Sequence, residues 1–471
     1  MSIVNTHHSA YDRMADRWLR CRDVVEGQDA VFAAGTRYLP RLKLQTDDDY
    51  KAYQMRALFF NATWRTVSAL SGLIFRKPPA IEAPKAVLPM FDDITLSGVS
   101  LYVFSQQCVL ETLITGRVGV LVDYPPVEAV GITEAEAQRL NLRPFMAFYP
   151  AESIINWKVG TVDNQHVLTQ VVLAEPFTKQ KNEFEEETET HYRVLDLTAE
   201  GYRVRVFRID DKNEDVQIGN DIYPLMNGKR MSRIPFYFIG VDNTTPEVDS
   251  PPLLDLANAN LAHYRLDADL KHGLHFTGLP QPVISGYVKD DNTKLYIGSP
   301  LAWVFPDPAA RAYYLEFSGQ GLASISQEKD KIEQLMAVLG ARLLTQEKKA
   351  TETAQAAAIH RAGENSILAA IALTVSASLT QALKLLCQWA GITEEPEPKI
   401  TLNTEYFPPE MSAQDLAALV SAWQQGAISM QVLFEKLQKT EVVSSSLTLE
   451  EMQAQIEASP IPRPKPKGEG A

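Results

Sequence analysis

Gly319 to Gly391 reads GQGLASISQEKDKIEQLMAVLGARLLTQEKKATETAQAAAIHRAGENSILAAIALTVSASLTQALKLLCQWAG. It holds two helical runs around a short polar break. In the first, Ser324 to Leu344, the residues Ile332, Leu335, Met336, Leu339 and Leu343 recur at the spacing of one apolar helix face. Ser324 and Gln327 have the spacing of a capping box at its start. Thr345 to Thr353 carries no apolar stripe. After it the chain reaches Gly391 without a proline. If Thr353 to Ala390 is all helical, it is about 38 residues and ~57 Å long, far beyond the usual helix of about 11 residues.

That second run is rich in alanine and serine, from Ala354, Ala356, Ala357 and Ala358 to Ser376, Ala377 and Ser378. Small side chains let other backbones approach closely. Gly363 and Asn365 weaken the helix and predict a bend, and Gly391 is suited to end it. A long, bent, small-residue helix suits a spine packed against copies of itself. A long helix in an ordinary large α-domain reads the same way on spacing alone.

The rest of the chain sets limits. Its 471 residues are enough for two or three domains, and 45% hydrophobic with 22% charged residues is the balance of a folded protein. The net charge of -14 argues against gripping nucleic acid by bulk attraction, which needs clustered Lys and Arg. It permits surrounding DNA without adhesion. Cys21, Cys108 and Cys387 lie far apart and read as buried free thiols of a reducing compartment. The start lacks a signal-peptide pattern, and no run of 18 uninterrupted apolar residues occurs.

In chain order, helices are expected over Ser9–Ala34, over Thr46–Phe75 as one or two pieces, and over Ser97–Gly116. From Arg143 to Gly240 the period changes to that of strands, with a hairpin around Ala199-Glu200-Gly201 and an acidic loop over Glu183–Glu189. Ser250-Pro251 reads as N-cap and first helical residue of a helix to about Lys271. His272 to Phe317 is a small β-rich insert between that helix and the one from Ser324. Two such helices can lie side by side, antiparallel, with the insert at the far tip. Beyond Gly391 come a Pro-Glu linker, a strand over Lys399–Thr404, helices starting at Ser412, Ser429 and Thr448, and a basic proline-rich tail.

Catalytic signatures are missing: there is no phosphate loop, G-x-G-x-x-G, H-E-x-x-H or G-x-S-x-G. His263, His272 and His275 have weak metal-ligand spacing, and a helix end suits a structural role. Asp47-Asp48-Asp49 could serve metal-dependent phosphoryl chemistry, but a helix N-terminus equally welcomes acids. Lys348 and Lys349 in the break could touch phosphates as point charges, or sit in solvent balanced by Glu347 and Glu352.

The order of parts from Tyr11 to Met452 resembles the portal proteins of tailed bacteriophages. So do three phrases: Asn61-Ala-Thr-Trp-Arg-Thr-Val-Ser-Ala-Leu-Ser-Gly-Leu-Ile-Phe-Arg-Lys-Pro-Pro79, His275-Phe-Thr-Gly-Leu-Pro-Gln-Pro282 and Glu352-Thr-Ala-Gln-Ala-Ala-Ala-Ile-His-Arg-Ala-Gly-Glu-Asn365. The resemblance implies an α+β portal fold. A mixed wing would span 1–249, a stem helix 250–271, a small α/β clip 272–319 and an antiparallel second stem helix 320–344. A tunnel loop would span 345–353, a long bent wing helix 354–391, and wing or short crown helices 392–458, before a disordered tail 459–471. The part after Gly391 is short for a large crown.

The resemblance also implies a non-enzymatic ring, expected to be a homododecamer, at one capsid vertex of the virion, assembled in the host cytoplasm. Double-stranded DNA would pass through it. Terminase, then head-completion or adaptor proteins, would dock on it, and capsid and scaffolding proteins would surround it. No membrane, metal or cofactor is implied. Gln346, Lys348 and Lys349 would face DNA; Tyr287, Lys289, Trp303 and Arg311 of the clip would meet partners. Two alternatives stay open: another self-assembling phage structural protein, such as a capsid or connector subunit, and a metal-dependent enzyme using Asp47–Asp49 or His272 and His275.

Overall fold

The computed structural model describes residues 3–125, 136, 139–162, 164–278, 281–285, 308–315, 319–342, 366–406, 413–440, 442–443 and 447–458. The chain forms two compact units, Met1–Thr404 and Glu405–Ala471.

The first unit opens with α1 (Ser9–Glu26) and α2 (Gln28–Ala33), where one helix was expected. Gly27 separates them at φ +114°, a conformation open to glycine and costly for other residues. The Asn61 amide donates to Val25 O at 3.0 Å beside it. In α3 (Asp47–Arg56), Thr46 and Asp49 form a reciprocal capping box. Asp47 pairs with Arg41 at 2.6 Å. The acidic triplet thus starts a helix. Asn61 caps α4 (Ala62–Ile74), and β1 (Ala80–Glu82) follows. Ser100 caps α5 (Leu101–Thr115), which starts later than the expected Ser97. Gly116 ends it at φ +76°, where a Cβ would stand 3.0 Å from Ser250 O.

Next come β2 (Arg117–Asp123), β3 (Phe145–Pro150), β4 (Ile154–Val162), β5 (Gln165–Gln180), β6 (Glu186–Thr198), β7 (Gly201–Ile209), β8 (Asp215–Ile222), β9 (Leu225–Met226), β10 (Lys229–Arg230) and β11 (Phe236–Gly240). One antiparallel sheet has the order β11-β2-β3, another β4-β5-β6-β7-β8. The hairpin read at Ala199–Gly201 forms, with Thr198 opposite Gly201. The acidic loop is a correction: from Glu186 to Glu189 these residues are strand, paired with Gln180 back to Phe177 of β5. A partly buried knot joins the sheets. Arg193 lies 2.8 Å from Asp123 and 2.9 Å from Glu175, and the Tyr149 hydroxyl donates to Glu175 at 2.5 Å.

Helix α6 (Leu254–Thr277) starts later than expected. Ser250 does not cap it; Pro251 O instead accepts from Leu254 N in a preceding turn. It also continues past Lys271. Strands β12 (Gln281–Ser285) and β13 (Arg311–Leu315) pair antiparallel. Helix α7 (Gln320–Arg342) starts directly after Gly319, at φ +64°. Ser324 and Gln327 therefore lie inside the helix and cannot box its start.

Helix α8 (Ile367–Trp389) corrects the long-spine reading. Ser366 is extended, at ψ 153°, and its hydroxyl accepts from Ala369 N. No continuous helix passes through this point; residues 354–365 lie outside the described residues. The short hydroxyl residues of α8 make contacts within the same subunit. Ser378 donates to Phe238 O at 2.8 Å and Thr374 to Gly240 O at 2.9 Å, against β11. Ser376 accepts from Leu402 N and Thr380 exchanges bonds with Ile400, against β14 (Lys399–Thr401), itself paired with β1. Leu368, Ile371, Val375, Leu379, Leu383 and Leu386 are buried. Short hydroxyl side chains draw sheet-edge backbones onto the helix, and the leucines bury beside them. The helix is long and apolar enough to cross a membrane by composition, with 56% of its most apolar window buried in the subunit.

The second unit holds α9 (Ala413–Gln424), α10 (Met430–Lys439) and α11 (Leu449–Ala458). Gly426, at φ +75°, follows α9. Ser429 caps α10, and Thr448 with Glu451 forms the expected box. Ser412 and the tail 459–471 lie outside the described residues.

Candidate functional site

Helices α6 and α7 run antiparallel, side by side. His263 meets Glu333 at 2.9 Å, Asp267 meets Lys329 at 3.1 Å, and Gly273 leaves room for Leu322. Strands β12 and β13 pair with Gln281 opposite Leu315 and Ser285 opposite Arg311. Among the described residues, the chain thus holds a paired β12 and β13 between two paired helices, α6 and α7.

One end is anchored. Asn260 is fully buried; its carbonyl accepts from Thr63 N and Oγ1, and its amide donates to Phe60 O. The Arg265 guanidinium donates to Tyr38 O at 2.7 Å. Asp267, 3% exposed, accepts from Leu58 N at 2.8 Å and pairs with Lys271 and Lys329, each at 3.1 Å. Burial alone would raise its pKa. The Leu58 N–H and the two ammonium groups outweigh burial and hold the carboxyl below its ordinary value. Beyond Ala268 no residue of α6 is buried, although Asp269 and His272 still touch Tyr53 of α3. Leu335 and Val338 of α7 and Tyr313 and Tyr314 of β13 are about half exposed.

The expected site residues are unevenly placed. Arg311 sits on β13, its guanidinium donating to Pro308 O and Ala310 O at 3.0 and 3.1 Å. Tyr287, Lys289 and Trp303 of the clip, and Gln346, Lys348 and Lys349 of the loop 345–353, lie outside the described residues. The metal candidates have other partners. His272 packs edge-on against Tyr53 and Phe276. Burial, then Arg56 and His275, lowers its pKa. Among the described residues no three His, Cys, Asp or Glu side chains are grouped to hold a metal. Cys21, Cys108 and Cys387 are free and buried; burial pushes the Cys21 thiol up to about 12.

Two features were not anticipated. One is a groove of about 1610 Å³ between the outer side of α8, the start of β5 and the segment before β14, lined by Trp157, His166, Phe238, Pro246, Ala377 and Lys399, among others. The other is Arg117, 1% exposed, behind the groove wall. Its guanidinium lies 3.9 Å from the centre of a Trp157 ring and 4.7 Å from that of Phe238. One nitrogen donates to Pro246 O at 3.3 Å; Nε and Nη2 have no hydrogen-bond partner. Burial pulls its pKa down to about 9, against the field of Asp249. A sequence signal was faint: one arginine opening an otherwise apolar strand directly after Gly116.

Residues 252–390 match a family model described as "Domain of unknown function (DUF4055)". No curated protein matches the chain. Among solved structures, the chain is similar to a chain of the "Neck of empty GTA particle computed with C6 symmetry", with 12% identity, 92% of this chain and 99% of that one covered, and a TM-score of 0.37. It is similar to a chain of the "Neck of native GTA particle computed with C12 symmetry", with 14% identity, coverage of 87% and 97%, and a TM-score of 0.38. A chain of the "Virion of native gene transfer agent (GTA) particle" gives 12% identity, coverage of 92% and 99%, and a TM-score of 0.35.

Proposed function

We propose that this chain is a phage portal subunit: copies form a ring at one capsid vertex, the conduit through which DNA is packaged and ejected. The observation that carries the reading is the antiparallel pairing of α6 with α7, with the paired strands β12 and β13 between them in the chain. The helix pair is anchored at Asn260 and Asp267, and the paired strands lie between its two helices in the chain. That arrangement supports a stem with a clip at its tip, the place where terminase and head-completion proteins would dock. The family phrases at Asn61–Pro79, His275–Pro282 and Glu352–Asn365 support the same reading. The charge of -14 suits a conduit that must let DNA slide. In this reading the loop 345–353 faces DNA, with Gln346, Lys348 and Lys349 closest to it.

A second reading is a different self-assembling phage structural protein, such as a capsid or connector subunit. The burial of α8 within its own subunit favours it, because that helix needs no neighbour to complete it. Native mass measurement of the purified protein tests both. The portal reading expects one closed species at a fixed multiple of 52.5 kDa. A monomer at micromolar concentration contradicts it, and open-ended polymers favour the second reading.

A further inference from the structure

Residues 3–8 form a strap across the five-stranded sheet, whose edge strands are β4 and β8. Val4 N donates to both carboxylate oxygens of Asp215, at 2.9 and 3.0 Å, where β8 starts. The Val4 side chain packs on the buried cluster of Ile155, Val172 and Val194. Thr6 O accepts from the Asn156 amide at 2.8 Å. His8 N donates to Ile155 O at 2.9 Å. The strap thus ties β8 to β4 and ends at His8, where α1 begins.

The His8 ring is fixed at the same point. Its Nδ1 accepts from Ala10 N at 3.1 Å and so caps α1. The ring also stacks on Trp157, with centroids 4.1 Å apart. The cap needs an unprotonated Nδ1, since both ring nitrogens of a charged histidine are donors. A proton on His8 would also set a cation against the positive end of α1. Two arginines add to this. Arg117 of β2 lies 3.9 Å from the centre of a Trp157 ring, and Arg13 follows in α1. Burial, then Arg117 and Arg13, lowers the His8 pKa from 6.5. The remaining charged and titratable groups nearby do not offset them. His7 is held by Asp12 at 2.9 Å. His8 lines the groove together with His166, Glu82, Glu247 and Glu395. Glu397 there is paired with Lys384, and Lys399 stands opposite Glu82 in the β14–β1 pair.

We propose that His8 is an acid-sensitive latch: neutral, it holds the strap on the sheet, and on taking up a proton it releases the strap and opens the apolar face under Val4 to solvent. The latched histidine binds a proton more weakly than a free one, so acid favours release. Opening should therefore grow as pH falls below about 6.5. One proton allows at most about tenfold per pH unit, and the rise levels off below the latched value. The latch lies within one subunit and does not depend on the ring.

The test is hydrogen–deuterium exchange of the full-length protein, read by mass spectrometry in peptides covering residues 3–12. The parent is compared with His8→Asn at about pH 7.5 and about pH 5. Asparagine caps a helix without titrating, and dividing parent by variant removes the intrinsic pH dependence of exchange. The ratio of exchange rates should be roughly 3-fold or more higher in acid; a ratio constant within about 2-fold overturns the latch. His8→Asp is the second variant. It keeps an acceptor and puts an anion at the start of α1, so the strap should stay protected at both pH values; acid opening equal to the parent's overturns the proposal. His7→Asn should respond as the parent does, and a response lost there but kept in His8→Asn assigns the proton to His7 and overturns it too. Circular dichroism checks that each variant folds.

Discussion

Asp267 is where the α6–α7 pair is fixed to the body, and its replacement can be worked through. Asp267→Ala leaves the Leu58 N–H without its 2.8 Å acceptor, which costs about 1–3 kcal/mol for a group held away from water. Lys329 and Lys271 each lose a partner at 3.1 Å. Their side chains are 21% and 37% exposed, so both ammonium groups can turn to solvent. Each loss then counts nearer ~0.5 kcal/mol than the cost of a stranded buried charge. The sum is about 3 kcal/mol. Asp267→Asn keeps an acceptor for Leu58 N and should cost about 1–2 kcal/mol.

The pH dependence follows from the lowered carboxyl pKa. A depressed acid stabilises the fold above its unfolded value of about 3.9. That contribution fades as pH falls through the lower folded value. The gap between the parent and Asp267→Asn should therefore narrow on acidification below roughly pH 4. Urea unfolding followed by tryptophan fluorescence measures it from the shift in the midpoint of the first transition. An alanine variant within about 0.5 kcal/mol of the parent, or a gap that widens on acidification, would refute the anchoring role.

Gly119→Ala should destabilise by about 1–3 kcal/mol through overpacking, because a Cβ there overlaps the Phe236 ring and stands 2.9 Å from Ile154 Cδ1; thermal unfolding measures it, and an unchanged midpoint contradicts the tight packing. Replacing both Lys348 and Lys349 with alanine should leave ring assembly intact and alter DNA packaging or retention in an assembled particle. Normal packaging and retention would remove the DNA-facing role.

Local signals were legible where the residues themselves do the work. Gly116, Gly391 and Gly426 all have positive φ, and Ser429 and Thr448 cap the helices they precede. The strand period of Tyr192–Leu197 and Tyr202–Val206 gave the β6–β7 hairpin. Partner-dependent features were not legible. Strand β8 lacks an apolar alternation and exists because β7 offers it an edge. The alanine and serine of α8 suggested contact with other copies, whereas the edges of β11 and β14 use them first. Ser366 ahead of an apolar run carried the signal for a helix start, masked by the helix-forming alanines upstream. Arg117 depends on Trp157 and Phe238 from other strands, which no local pattern joins to it.

The most direct measurement is the rotational symmetry of the purified, full-length particle from class-averaged electron micrographs. The account predicts closed rings with one central hole and a fixed subunit number. Solitary compact particles at micromolar concentration, or assemblies without a continuous passage, would contradict it.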